Sequence, residues 1–352
     1  MKSYVLIYLC LILGLSCKKD DPAQPELTKL GKRDYVWSID SVEYGNQPGR
    51  IGLQSIWGCS ATDVWGANGD APDVRDCLWH YDGTKWSRAT EGTPITEFTG
   101  NKTVYAVWGT ARNNVWAFGR KINQGVLSAF IMHYDGSRWV DVTPSHIASI
   151  SSTLYTVHGI SGSDIWVGGY EYALHFDGSQ WSSYLIADSM IVGSLTNSSR
   201  KIYCDTYSPW GGDSVFIYSL SDTVFVRKDF DERWQSKFGS GVWATDARLT
   251  SFSNGVTYAS LLETGDIDTA NWRREFTTPT SFRSEFVQSP MNVFAVGVWN
   301  LIYHYNGSDW RQIFISVPNH NVDPHSDFWG VWTDGNEVFV CDRQNGIVYH
   351  GR

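Results

Sequence analysis

The chain has 352 residues and a formal net charge of −9, from 28 Lys+Arg against 37 Asp+Glu. An acidic chain with no basic stripe lacks the electrostatic footprint of a nucleic-acid binder, so that class of partner is excluded. Eighteen Trp, 18 Tyr, 16 Phe and 33 Gly suit a turn-rich, aromatic-packed all-β chain; no stretch has the pattern of a long amphipathic helix.

In chain order, Lys2 precedes an apolar run from Tyr4 to Leu15. The run is too short for a membrane span of about 20 residues and has the length of a signal peptide core. It ends Leu13-Gly14-Leu15-Ser16-Cys17, followed by Lys18-Lys19-Asp20-Asp21 and a polar, Pro-containing stretch to Arg33. This reads as a signal peptide over 1–16, a flexible tether over 17–33 and one β domain over 34–352. Tyr35-Val36-Trp37-Ser38-Ile39-Asp40 then reads as a strand with no unit of its own before it.

A phrase now repeats. Asp63-Val64-Trp65 is followed by His80-Tyr81-Asp82-Gly83 and Trp86, and Asn114-Val115-Trp116 by His133-Tyr134-Asp135-Gly136 and Trp139. Asp164-Ile165-Trp166 is followed by His175-Phe176-Asp177-Gly178 and Trp181, and Asn292-Val293-Phe294 by His304-Tyr305-Asn306-Gly307 and Trp310. The Asp/Asn-Gly pair marks a tight turn, expected to place both central residues at positive φ. The aromatic and β-branched runs around it read as strands. With an upstream apolar run such as Ser55-Ile56-Trp57-Gly58, each unit has four antiparallel strands, A to D. Repeats of roughly 40–50 residues built this way form a closed array of small sheets.

The expected fold is therefore an all-β propeller of seven four-stranded blades. Clear blades lie at about 53–90, 103–143, 153–186 and 282–315, and degenerate β sequence fills 190–280. The C-terminal stretch supplies strands A, B and C only, so the N-terminal strand Tyr35–Asp40 is expected to complete the last blade and close the ring. The recurring histidines (His80, His133, His175, His304, His350) and tryptophans occupy equivalent positions in successive units. They read as packing groups, not as a metal set.

The Trp-Gly…Asp-Val-Trp…His-Tyr-Asp-Gly…Trp pattern resembles the repeats of bacterial (Bacteroidota-type) secreted lipoprotein β-propellers over about residues 35–352. The segment ending in Cys17 resembles their lipoprotein processing box, with Gly14 where Leu is more usual. Lys18-Lys19-Asp20-Asp21 is similar to their surface-directing tag. The resemblance implies a lipid (palmitate-type) on Cys17, an outer-membrane location with cell-surface exposure, and membrane contact through the anchor alone. It does not specify function, because propellers host unrelated activities.

Function is expected in the irregular loops, since the repeats fix the scaffold. B–C and D–A loops share one propeller face around the channel mouth. There lie Asp70, Asp73, Arg75 and Asp76, then Arg120 and Lys121, then Tyr170, Glu171 and Tyr172, then Tyr207 and Trp210, then Trp299, then Arg343 and Gln344. Aromatic rings beside charged and amide groups suit a glycan or protein ligand, and no nucleophile–base signature or phosphate loop accompanies them. The expectation is a ligand-binding or interaction module without a cofactor. The alternative is a polysaccharide hydrolase or lyase using Asp70, Asp73 or Glu171. Asp70–Asp76 clusters oxygens of the kind calcium takes but lacks a full calcium-loop pattern. Of the cysteines, Cys59, Cys77, Cys204 and Cys341 read as buried free thiols, and strand placement argues against a Cys59–Cys77 bridge.

Overall fold

The computed structural model describes residues 30–42, 51–69, 76–89, 101–198, 201–210, 215–228, 242–245, 248–253, 256–261 and 273–352; side chains at 198, 215 and 242–273 are not described. β1 (Trp37–Ser41) is followed by blade 1, made of β2 (Ser55–Ser60), β3 (Asp63–Ala67), β4 (Leu78–Tyr81) and β5 (Trp86–Arg88). Blade 2 is β6 (Lys102–Ala111), β7 (Asn114–Asn123), β8 (Val126–Tyr134) and β9 (Trp139–Asp141), followed by a short helix, α1 (Ser145–Ala148). Blade 3 is β10 (Leu154–Ser161), β11 (Asp164–Gly169), β12 (Tyr172–Phe176) and β13 (Trp181–Leu185). Blade 4 is β14 (Ile191–Ser198), β15 (Lys201–Tyr207), β16 (Val215–Ser221) and β17 (Val224–Arg227). A further sheet holds β18 (Val242–Thr245), β19 (Arg248–Ser253), β20 (Val256–Leu261) and β21 (Arg273–Thr277). Then come the blade of β22 (Phe282–Ser289), β23 (Asn292–Gly297), β24 (Leu301–Tyr305) and β25 (Trp310–Gln312), and the closing strands β26 (Phe328–Thr333), β27 (Val338–Asp342) and β28 (Ile347–Gly351).

These strands pair as seven four-stranded antiparallel sheets. The expectation of seven equivalent blades nevertheless needs correcting. Six blades are described with packed side chains, whereas the sheet at 242–277 is described as backbone alone up to Arg273. The closing strand is corrected too. It runs Trp37–Ser41, not Tyr35–Asp40, and pairs along its length with β28, from Trp37 opposite Gly351 to Ser41 opposite Ile347. The inner strands β6, β10, β14 and β18 stand side by side from blade to blade, and β2 touches both β6 and β26. Beginning and end of the domain thus share one sheet.

The repeated phrase builds a polar clasp. In blade 1 the Asp63 carboxylate accepts from Trp65 Nε1 at 3.1 Å and from His80 Nε2 at 2.7 Å. Asn114 accepts from Trp116 at 3.1 Å and His133 at 2.7 Å, and Asp164 from Trp166 at 3.0 Å and His175 at 2.9 Å. Asn292 accepts from His304 at 2.7 Å, and there Phe294 stacks on the imidazole in place of Trp. An amide oxygen can only accept, so His133 and His304 carry the proton on Nε2. Burial holds His133 below the usual histidine range and drives His304 down to about 3, so neither needs a charge for its role.

The turns after the histidines differ from expectation. Gly83, Gly136, Gly178 and Gly307 have φ of 90–95°, but the preceding Asp or Asn does not enter that region. Instead Asp82 Oδ1 accepts from the backbone N–H of Thr84 at 2.8 Å and of Lys85 at 2.9 Å, with Asp135 and Asp177 doing the same in their blades. The carboxylate mimics a backbone turn, so only the glycine needs the left-handed conformation.

Tryptophans lock blade to blade. A Cβ added to Gly58 would lie 2.8 Å from Trp332, one on Gly109 2.9 Å from Trp57, and one on Gly159 2.0 Å from Trp108. Each indole of an A strand therefore lies on the bare backbone of the next. Further out, Trp65 meets Trp139 edge-on at 5.3 Å, Trp116 meets Trp181 at 5.9 Å, and Trp166 meets Phe225 at 5.8 Å. Ahead of β1 the chain is strapped to the blade of β22–β25. Gly31 N–H donates to Asn306 O at 3.2 Å, and Arg33 donates to the Asp309 carboxylate at 2.7 Å and to His304 O at 2.9 Å. Of the cysteines, Cys77, Cys204 and Cys341 are buried thiols outside any disulfide, as expected. Cys59 is not free but disulfide-bonded, and its partner is outside the described residues.

Gly159→Ala tests the lock. Overpacking against Trp108 should cost about 1–3 kcal/mol in urea denaturation. A variant as stable as wild type would show that the indole can move aside.

Candidate functional site

The site begins with an irregularity in the A strands. β6, β10, β14, β22 and β26 each carry a register shift near their start, against β7, β11, β15, β23 and β27 respectively. The extra residues are Tyr105, Tyr155, Gly193, Arg283 and Trp329. A bulge leaves one residue outside the ladder and re-aims its side chain. Because these strands are innermost, the same irregularity repeated round the ring sends the extra residues to the channel mouth.

The contacts bear this out. Tyr105 and Tyr155 meet edge-on at 5.2 Å across two blades, and Arg120 lies over Tyr105 at 5.6 Å. Gln54 and Tyr105 both lie against Gly69, where a Cβ would be 2.3 Å and 2.2 Å from them. At Gly193 the bulge has no side chain, and Tyr207 and Asp205 from β15 fill the space, 2.8 Å and 3.0 Å from where a Cβ would stand. On the far side Arg283 faces Asp327 at 3.6 Å, while Arg283 and Arg343 lie over Trp329 at 5.3 Å and 4.0 Å.

Electrostatics show groups from separate blades converging. Asp205 accepts from the Ser194 N–H at 2.5 Å and from its hydroxyl at 2.8 Å. Burial pushes the Tyr207 hydroxyl up to about 12, with Asp205 adding to the shift. Enclosure by protein pushes Glu285 up to about 8, with the Asp205 charge adding to it. Glu285 retains some accessible surface. Arg283 counters the rise at Tyr207. Blade 4 and the blade of β22–β25 are not sequential, so these couplings run across the lumen. Buried polar atoms at the mouth lack a protein hydrogen bond: Gln54 Nε2, Arg120 Nε, Trp329 Nε1 and Asp327 Oδ1. Three of the four are donors, which suits an acceptor-rich ligand.

The residues singled out from sequence divide. Arg120 and Arg343 are in the mouth. Asp70, Asp73 and Arg75 are outside the described residues, and Asp76 is buried in an ion pair with Arg88 at 2.5 Å. Tyr170 and Tyr172 sit at the β11–β12 loop, where Tyr170 N–H donates to Thr153 O. Glu171 braces the β13–β14 loop by accepting from the Ser189 N–H at 2.8 Å. Trp210 is 86% exposed and Trp299 57% exposed, on separate loops. Trp299 and Asn300 both have positive φ, 58° and 46°, a conformation that costs a non-glycine residue roughly 1–2 kcal/mol. Hydrogen bonds hold it there, from Val298 N–H to Ser281 O at 3.2 Å and from Asn300 N–H to Ser326 O at 2.8 Å.

Sequence reading missed Tyr105, Tyr155, Asp205, Arg283, Glu285, Asp327 and Trp329. Most belong to or border A strands, which look like scaffold; only the one-residue excess at their starts sets the bulge residues apart. Among the described residues no cluster of three or more His, Cys, Asp or Glu could hold a metal. No described helix is long and apolar enough to cross a membrane.

No protein-family model matches the chain, and no curated protein matches it in sequence. Solved structures match its fold. A structure of YCF48 bound to D1 peptide superposes with a TM-score of 0.60 at 16% identity, covering 91% of this chain and 98% of that one. The WD40 β-propeller domain of Doa1 gives 0.60 at 13% identity, over 90% and 97%. The extracellular domain of BT4673 from B. thetaiotaomicron gives 0.58 at 14% identity, and this match covers 89% of the present chain but 40% of that one. The chain has the β-propeller fold.

Glu285→Gln tests the enclosure. A carboxyl raised from 4.5 to about 8 in the folded state contributes stability that is full below about pH 4.5 and lost as pH rises through about 8. The variant should lose this component of the Tm-versus-pH curve. An unchanged curve would mean Glu285 is solvated.

Proposed function

We propose that this chain is an extracytoplasmic ligand-binding propeller whose B–C/D–A face takes a glycan or protein ligand. The observation that carries the reading is the repeated bulge, which presents aromatic and charged side chains from separate blades to one opening. Propeller neighbours fit this reading coarsely: one was solved with a peptide bound, and others are extracellular domains of B. thetaiotaomicron proteins. Arg120, Arg343, Trp210 and Trp299, with Tyr170, Glu171 and Tyr172 on the rim, remain the proposed ligand-facing set, joined by Tyr155, Arg283 and Trp329. Of the carboxylates that the hydrolase or lyase alternative would use, Glu171 braces a loop through one oxygen, and Asp70 and Asp73 lie outside the described residues.

A glycan and peptide array probed with wild type and with Tyr155→Ala and Trp329→Ala tests the reading. Wild type should give a defined set of hits that both variants lose while keeping their Tm; hits that both retain would place binding elsewhere.

The proposal extends to attachment: residues 1–16 as signal peptide, 17–33 as tether, and a lipid on Cys17 holding the domain at the outer membrane, exposed at the cell surface. A lipid thioether needs the Cys17 sulfur, so Cys59 must not occupy it. Labelling with radioactive palmitate in cells should mark wild type and Cys59→Ser but not Cys17→Ser. Label on Cys17→Ser, or none on wild type, would exclude this anchor.

A further inference from the structure

Resting on the ligand-binding reading, we infer that the mouth recognises the uronate residues of an acidic polysaccharide, with Arg283 and Arg343 holding a sugar carboxylate and Trp299 stacking on a ring. The first support is that the aromatics inside the mouth are already engaged. Arg120 covers Tyr105, Tyr155 meets Tyr105, and two guanidiniums lie over Trp329. Held this way, the rings position cations at the opening. Guanidiniums fixed on a ring present their N–H forks in a set plane, which matches a carboxylate.

The second support is the geometry around Asp327. It faces Arg283 at 3.6 Å, beyond hydrogen-bond reach, and its Oδ1 is buried without a hydrogen bond. Arg343 is fixed at the same point, since its N–H donates to Asp327 O at 3.0 Å. Trp329 Nε1, buried beside them, is a donor with nothing to donate to. Trp329 Nε1 and the two guanidiniums are donors that an acceptor-rich anion would satisfy, while Asp327 Oδ1, the acceptor among them, is left facing Arg283.

The third support is Trp299. Its loop is stitched to Ser281 on one side and Ser326 on the other, the near neighbours of Arg283 and Asp327. The exposed indole is therefore displayed at the rim of this cluster in a backbone conformation its side chain does not favour. Strained residues of this kind persist where function uses them. An open ring beside a carboxylate clamp is the pairing that an acidic sugar needs. A peptide would need the clamp but not the platform.

Isothermal titration of the whole protein with oligogalacturonate, its carboxyl-reduced counterpart and an acidic peptide of matched charge tests this. The oligouronate should bind, with affinity falling at least about tenfold on carboxyl reduction, in Trp299→Ala and in Arg343→Gln, as for loss of a central contact. Arg343→Lys should fall between, and Arg138→Gln, in the Asp135 turn at the opposite end of blade 2, should match wild type, all with unchanged Tm. Equal affinity for acid and reduced sugar, an unaffected Trp299→Ala, or tighter binding of the peptide would overturn it. Array hits that depend on Tyr155 and Trp329 but exclude uronates would leave the ligand-binding reading standing and remove this one; no array hits would remove both.

Discussion

The molecule depends on a close approach between an indole and a backbone with no side chain. Trp332 on Gly58, Trp57 on Gly109 and Trp108 on Gly159 repeat one contact at three successive interfaces. Four-stranded sheets of this size expose two apolar faces and cannot stand alone. The glycine lets the neighbouring indole reach the strand itself, and dense packing makes that spacing unforgiving. The first of the three contacts joins the end of the chain to its beginning, so the interaction that repeats along the array also closes it.

A scaffold held this way can spare its inner strands' ends for other uses. In β6, β10 and β26 the bulge displaces one residue without disturbing the Trp–Gly contact a few residues further on. Variation at those single positions (Tyr, Tyr, Gly, Arg, Trp) changes the mouth and leaves the blades alone. Gly193 shows the logic: where the bulge carries no side chain, Tyr207 and Asp205 from the adjacent strand occupy the place.

Much of the fold was legible because the repeat states its own hydrogen bonds. Asp63, Trp65 and His80 are a clasp written into one unit, and the Asp-Gly turn is visible as a pair. Two things were hidden. The turn geometry depends on a side-chain oxygen replacing a backbone acceptor, so Asp82 did not need the positive φ that the pair suggests. The disulfide at Cys59 was hidden as well, because strand order fixes only the neighbours within one sheet. The site was less legible than the fold. Arg120 and Arg343 stood out as loop charges, but Tyr155, Arg283 and Trp329 were hidden inside segments that read as ordinary strand. Glu171, conspicuous in sequence, proved to brace a loop.

The strap of Gly31 and Arg33 fastens the incoming chain beside the turn of Asn306–Asp309, the end of the blade where C strands pass into D strands. The bulges open at the opposite end. Any tension on the chain ahead of residue 30 is thus received by the underside of the disc, and Arg33 bears it before the first rung of β1 does. A pull applied at Gly31 would load that end alone and leave the opening unobstructed.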